Sequence, residues 1–237
     1  MSKTPARFIT LEGGEGAGKS TQCRLLEKEL TARGISCVTT REPGGSPGAE
    51  DIRKLLVQGD ADKWDPITET LLLFAARADH VTRTIKPALA VNRWVICDRF
   101  TDSTYAYQGV GRGMDRETIR RIETLAIGDF TPDLTLVLDI PPDIGLRRTT
   151  TRGTPLFDPV MKDPDSEEAK QALGRRKEAR FERFGKTFHE RLRDAFLDIA
   201  KRNSRRCVVI DAAVPEADVA TKIWDVVATR LLSEPAA

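Results

Sequence analysis

Gly13-Gly14-Glu15-Gly16-Ala17-Gly18-Lys19-Ser20 satisfies the pattern G-x-x-x-x-G-K-[ST] at each of its fixed positions. Its chemistry is the capture of a diphosphate. Backbone that curls tightly enough to aim successive N–H groups at phosphate oxygens leaves no path for a Cβ at Gly13 or Gly18. Lys19 adds a point charge, and the Ser20 hydroxyl is placed for a divalent cation. A flexible glycine turn would use the same residue types. The flanks argue otherwise, with an apolar run at 7–11 and an amphipathic one at 20–33 that stops at Gly34. A nucleotide site over Gly13 to Thr21 is therefore expected.

Three more groups of residues could do chemistry. Asp98-Arg99 offers a carboxylate able to orient Mg²⁺ or its waters beside Ser20, and a guanidinium able to grip a second phosphate through two hydrogen bonds. An internal ion pair at a strand end would use the same two residues. Just downstream, Ser103, Thr104, Tyr105, Tyr107 and Gln108 supply hydroxyls, rings and an amide suited to a planar, hydrogen-bonding ligand. Upstream, Leu71, Phe74, Arg77 and Val81 recur at helical spacing, which sets Phe74 and Arg77 on nearly one face. A ring beside a guanidinium can stack on a base and bond its edge, although a stripe at this spacing usually packs inward.

These residues need a scaffold that brings 13–21, 98–108 and 74–77 together. Short Val/Ile/Leu-rich runs at 7–11, 37–41, 94–98, 134–139 and 207–211 read as strands, and periodic stretches at 66–92, 115–127, 143–152, 175–203 and 215–232 read as helices between them. Strands alternating with helices imply a parallel α/β sheet, whose ligands bind beyond the carboxyl ends of the strands. Each chemical group above follows such an end or faces it. The segment 153–174 breaks the pattern with three prolines and the acidic residues Asp163, Asp165, Glu167 and Glu168, and reads as a long loop or insertion.

Composition narrows the function classes. The 237 residues suit one domain, and a net charge of +2 with interspersed signs excludes a protein that coats nucleic acid or an anionic membrane. No run approaches the ~20 apolar residues of a membrane span, and the N-terminus lacks a signal core. The four cysteines lack metal-ligand spacing and read as small buried hydrophobes of a reduced, cytoplasmic protein. His80 and His189 have no second ligand or nucleophile in sequence and read as ordinary helix residues.

The phosphate loop, Arg41-Glu42-Pro43-Gly44-Gly45, Leu73-Phe74-Ala75-Ala76-Arg77, Asp98-Arg99-Phe100 and Ala106-Tyr107-Gln108-Gly109 together resemble the thymidylate kinase family over nearly the whole chain. The resemblance implies a three-layer P-loop kinase fold, a five-stranded parallel sheet flanked by helices with a mobile lid near 149–183. It implies a single domain over 1–237 that transfers the ATP γ-phosphate to dTMP with Mg²⁺ in dTTP biosynthesis, as a cytoplasmic homodimer. Carried over by position, Lys19, Asp98 and Arg99 are catalytic, Ser20 and Asp98 hold the metal, and Arg99, assisted by Arg53, holds the acceptor phosphate. Phe74 resembles the thymine-stacking ring and Arg77 the contact to a thymine carbonyl. Ser103, Thr104 and Gln108 resemble further dTMP contacts, and Tyr107 the residue that disfavours a 2′-hydroxyl. Glu15, also counted with the dTMP site, marks the bacterial type, in which a lid arginine supplies catalytic charge. Arg148, Arg152, Arg176, Arg180 and Arg183 are the candidates, with Arg180 carried forward. Phe100 departs from the tyrosine or histidine usual after Asp-Arg, and the lid is longer than the bacterial type implies. The rivals are a kinase for another nucleoside monophosphate or a deoxynucleoside, and a nucleotide switch. The switch is disfavoured because no Asn-Lys-x-Asp segment occurs and a second phosphate site would be superfluous.

Overall fold

The computed structural model describes residues 5–58, 63–152 and 185–232. Among them, β1 (Phe8–Glu12), β2 (Cys37–Arg41), β3 (Trp94–Asp98), β4 (Leu134–Asp139) and β5 (Cys207–Asp211) form one parallel sheet in the order β2-β3-β1-β4-β5. Four strands fall where the apolar runs put them. The first is displaced by one residue, so that Glu12 closes β1 and is fully buried.

The strands are apolar on both faces because helices cover both. Ile9 and Leu11 of β1 pack with Leu26 and Leu30 of α1 (Lys19–Ala32) and with Val219 and Ile223 of α9 (Glu216–Val227). Phe8, one residue out of phase, joins Val95 and Cys97 of β3 in a second cluster with Val81, Ile85 and Ile127, the last residue of α6 (Arg116–Ile127). Val137 of β4 packs with Leu192, Phe196 and Ile199 of α8 (Lys186–Arg202). The result is the three-layer arrangement expected. Each such fully buried aliphatic side chain stabilises by about 1.5–3 kcal/mol, which makes the sheet a firm shelf for the loops at its carboxyl edge.

Helix starts follow local chemistry. Asp65 accepts from the N–H groups of Ile67 and Thr68 at 3.1 and 3.0 Å, with Pro66 in first position, and so begins α3 (Pro66–His80). Asp115 accepts from Thr118 N at 2.9 Å and begins α6. The expected helix 66–92 is one continuous course, but α3 widens into a π-helical stretch, Val81–Ile85, before α4 (Lys86–Ala90). Two helical segments were not anticipated. One is α2 (Pro47–Val57), where Pro47 serves as a helix start rather than a turn. The other is α5 (Thr101–Thr104), which continues as π-helix through Tyr105–Gly111.

After β4, α7 (Pro142–Arg152) leads toward 153–174, which lies outside the described residues together with Arg176, Arg180 and Arg183. The site is assembled by register. Leu11 and Arg41 both pair with Asp98, so the chain leaves β1, β2 and β3 at adjacent points of one edge.

Candidate active site

The loop from Gly13 to Gly18 wraps from β1 into α1 with Gly13, Gly16 and Gly18 at φ 135°, 68° and 89°, values that disfavour side chains. At Gly13 space is also lacking, since a Cβ would lie 2.4 Å from the Leu138 carbonyl oxygen. Lys19 is buried, and its Nζ donates to the Gly13 and Gly14 carbonyls at 3.1 and 2.8 Å. Burial pulls its ammonium below the usual lysine range, and Arg99 adds to this against the pull of Glu15 and Asp98. Ser20 donates its hydroxyl hydrogen to Asp98 Oδ2, and half-buried Thr21 follows on the first turn of α1. The carboxylate and hydroxyl expected to share a cation thus touch between the end of β3 and the start of α1.

Arg99 meets the loop from the other side. Its backbone N–H donates to Leu11 O at 2.9 Å, which pins it to the end of β1, and its φ of 71° is rare for a residue with a side chain. Nη1 donates to Gly13 O at 3.1 Å and to Ser103 Oγ at 3.2 Å, and Nη2 to Glu15 Oε1 at 3.0 Å. Tyr107 donates to the same Glu15 oxygen at 2.6 Å. Burial alone would raise the Glu15 pKa. Arg99, Lys19 and the Tyr107 hydrogen bond outweigh it and hold the carboxyl at about 2. Two cations, Lys19 and Arg99, and the Glu15 carboxylate are therefore gathered at this loop.

Beyond Arg99 opens a cleft with a cavity volume of about 160 Å³. Glu15, Arg53, Arg77, Arg99, Tyr107 and Gln108 line it, joined by Leu73, Ser103 and Thr104. Gln108 Nε2 donates to Glu69 Oε1 at 2.7 Å, Arg53 Nη1 to Pro43 O at 2.8 Å, and Arg77 Nη2 to Thr104 Oγ1 at 3.1 Å. The cleft thus gathers residues from the loop after β1, from α2 and α3, and from the segment after β3.

A family model described as "Thymidylate kinase" matches residues 11–223. A thymidylate kinase of Caulobacter vibrioides is 49% identical over 228 residues, which cover 96% of this chain and 99% of that protein. One of Dinoroseobacter shibae is 49% identical over 219 residues, covering 92% and 95%. The chain belongs to the thymidylate kinase family. Its fold agrees with the crystal structure of thymidylate kinase from Ehrlichia chaffeensis, at a TM-score of 0.68 and 33% identity over 94% of this chain and 99% of that one. The family are nucleoside monophosphate kinases, and the chain is accordingly a phosphotransferase.

Within this thymidylate kinase architecture Phe74 and Arg77 meet on α3. Phe74 is 1% exposed and packs under the Arg77 guanidinium, whose Cζ lies 4.6 Å from its ring centroid. It is buried against a cleft-lining side chain, and Leu73 of α3 lines the cleft as well. Arg148 donates to the Ala212 carbonyl at 3.0 Å. The side chain of Arg152, like the whole of Arg176, Arg180 and Arg183, falls outside the described residues.

Other residues of the site carried no motif. Glu12 accepts from Phe100 N at 2.7 Å and from Ser103 N and Oγ at 3.3 and 2.6 Å, so the end of β1 anchors the start of α5. Burial first, and Asp102 second, push its carboxyl up to about 7. Asp102 is held by Arg206 through two hydrogen bonds of 2.7 and 2.8 Å. His80 and His189 are both fully or nearly fully buried. The second of them joins Asp139 and Arg193, paired at 2.6 and 2.8 Å, in a small cavity behind Gly13, Gly14 and Glu15. The only advance signal for Glu12 was a charged residue at the end of an apolar run.

Proposed function

We propose the following division of labour for transfer of the ATP γ-phosphoryl group to dTMP, giving dTDP and ADP. Backbone N–H groups from Gly14 to Lys19 hold the donor's β-phosphate at the start of α1, where the helix dipole favours an anion. Lys19 spans the β- and γ-phosphates, and Arg99, assisted by Arg53, fixes the acceptor phosphate. Ser20 and Asp98 are the residues that would hold Mg²⁺. Their adjoining oxygen donors on the rim suit a hard ion that keeps several waters, and when bound it neutralises charge on the phosphate oxygens. The acceptor is a phosphate monoester, already anionic at neutral pH, so positioning and charge neutralisation suffice without a general base. Arg180 is assigned the closing positive charge over the transferred group.

Glu15 and Tyr107 face the sugar, with Tyr107 disfavouring a 2′-hydroxyl. Phe74 is assigned the stacking ring and Leu73, Arg77 and Gln108 bound the base, while Ser103 and Thr104 contribute by orienting Arg99 and Arg77. The observation that carries this reading is the Arg99 contact to Gly13 O at 3.1 Å, because it sets a second phosphate grip against the phosphate loop itself. The test is a coupled ADP-release assay with Mg²⁺ and ATP, offering dTMP, dUMP, UMP, CMP, GMP and AMP separately, with a no-acceptor control. Strong preference for dTMP is expected. Preference for another monophosphate would discard the base assignment, and ADP release without acceptor would discard the transfer.

The chain is taken to act as one domain and as a cytoplasmic homodimer. Ile67 and Leu71 of α3 and Leu125 of α6, large apolar side chains exposed at 43%, 51% and 90%, support pairing through that side of the molecule. Sedimentation at micromolar concentration tests it, with a monomer as the refuting result.

A further inference from the structure

We propose that His80 and Glu42 are positioning residues for base selection: a buried relay from Thr40 through His80 and Glu42 fixes the Arg77 guanidinium so that Nη1 alone is left to read the ligand. The inference rests on the cleft being the acceptor-nucleotide site.

Arg77 is among the largest fully buried side chains of the molecule, and a guanidinium at that depth requires an anionic partner. Glu42, just beyond β2, provides it, with Arg77 Nε donating to Oε2 at 2.6 Å. Arg77 Nη2 donates to Phe100 O and Thr104 Oγ1, both at 3.1 Å. Nη1 is buried with no hydrogen-bond partner among the described residues, on a residue that lines the cleft. The planar fork thus has one edge committed to protein and one donor reserved for something in the cleft.

That commitment depends on the plane of the Glu42 carboxylate, and His80 sets it. His80 is fully buried, its Nδ1 3.0 Å from Glu42 Oε1 and its Nε2 2.7 Å from Thr40 Oγ1. The consistent assignment has the Thr40 hydroxyl donating to Nε2 and Nδ1–H donating to Glu42. Arg77 and His80 stand at i and i+3 on α3, so one helix face sends both to the same carboxylate. Gly45 completes the relay by its missing side chain, since a Cβ there would lie 2.3 Å from His80 Nε2 and 2.4 Å from Thr40 Oγ1.

A donor held at Nη1 favours a ligand with an acceptor at that place and opposes one with an amino group. For a pyrimidine this is the difference between a carbonyl and an amine at position 4, so the relay governs the choice between dUMP and dCMP, which differ there and in the proton on the adjoining N3. The readout is the dUMP:dCMP ratio of kcat/KM, or of reciprocal inhibition constants against dTMP where dCMP turnover is below detection. His80→Phe keeps a ring but removes both hydrogen bonds. It should lower the ratio by about tenfold, chiefly through the dUMP KM, because a site loses discrimination when its polar groups are released from fixed positions. His80→Gln, whose amide can still donate to Glu42, should recover most of it. Thr40→Val, which leaves the ring in place, should lower the ratio about threefold, and serves if His80→Phe does not fold. Equal loss toward both nucleotides, with the ratio unchanged in His80→Phe or Thr40→Val, would overturn the relay. Arg77→Met separates the two failures: if it too leaves the ratio unchanged, the base-site reading falls and the proposal with it, whereas a collapsed ratio there beside an unchanged one in the relay variants condemns the relay alone.

Discussion

The phosphate-loop end and the Arg77 end of the cleft are built from different materials. Around Gly13 to Ser20 the working groups are mostly backbone, shaped by glycines at positive φ and steadied by one buried lysine. Around Arg77 the working groups are side chains deep in the interior, each held by another from a distant part of the chain: Glu42 by His80, Gln108 by Glu69, Ser103 by Glu12. Backbone geometry is written locally and survives as a short motif. Side-chain networks are written across 35 or more residues and leave no compact trace. The first suits a ligand that is the same in every nucleotide, the second a ligand that must be told from its relatives.

Substitutions at the two ends should therefore fail differently. Lys19→Ala should cut kcat by about 10³-fold or more while circular dichroism and melting stay near wild type, since a point charge on the transferred group acts in the transition state. Near-normal turnover in a folded variant would remove Lys19 from the mechanism. Arg99→Met should raise the dTMP KM by about 10- to 100-fold and leave ATP affinity within a fewfold, measured by titration calorimetry, because a charge-assisted grip on one phosphate is lost. Equal loss of both affinities would mean that Arg99 serves the loop rather than the acceptor. Leu73→Ala should raise the dTMP KM about fivefold with kcat little changed, the effect of a shortened apolar wall. Phe74→Ala would instead destabilise the fold by about 3–5 kcal/mol in chemical unfolding, as a core aromatic does.

Glu12 offers a test through pH. Its carboxyl is raised from an ordinary value of 4.5 to about 7 in the folded protein, so the folded state holds this proton more tightly than the unfolded chain. Its contribution to stability is accordingly present below pH 4.5 and lost as pH rises toward 7. Glu12→Gln, which cannot ionise, should flatten that decline by about 1–3 kcal/mol in unfolding free energy measured at pH 5 and pH 8. An unchanged pH dependence would show that the carboxyl titrates normally in its network.

The same contrast explains what the sequence disclosed. Cys37–Arg41, Trp94–Asp98, Leu134–Asp139 and Cys207–Asp211 were legible because parallel strands buried on both faces are continuous apolar runs. The loop was legible because its glycines are demanded by φ. Thr101 to Gly111 was not, since Ser-Thr-Tyr-Ala-Tyr-Gln-Gly has weak helix propensity and takes its shape from Glu12, 88 residues earlier, accepting from Phe100 N. His80 looked ordinary because its partners, Thr40 and Glu42, lie on the far side of the β2-to-α3 connection. Leu73 was hidden by its own neighbours, Leu71 and Leu72, which blur the phase of the helix.

One contact of the phosphate loop reaches past the nucleotide. A Cβ at Gly16 would lie 1.9 Å from the Gly145 carbonyl oxygen, and a Cβ at Gly145 would lie 2.3 Å from that of Glu15. Two glycines 129 positions apart therefore let the loop and α7 touch backbone to backbone. Nothing at that joint can flex by rotamer change, so a shift of the loop is handed directly to the helix that leads toward 153–174. For anyone exchanging parts between relatives, residues 13–20 and 142–148 are a single component and must be transplanted together.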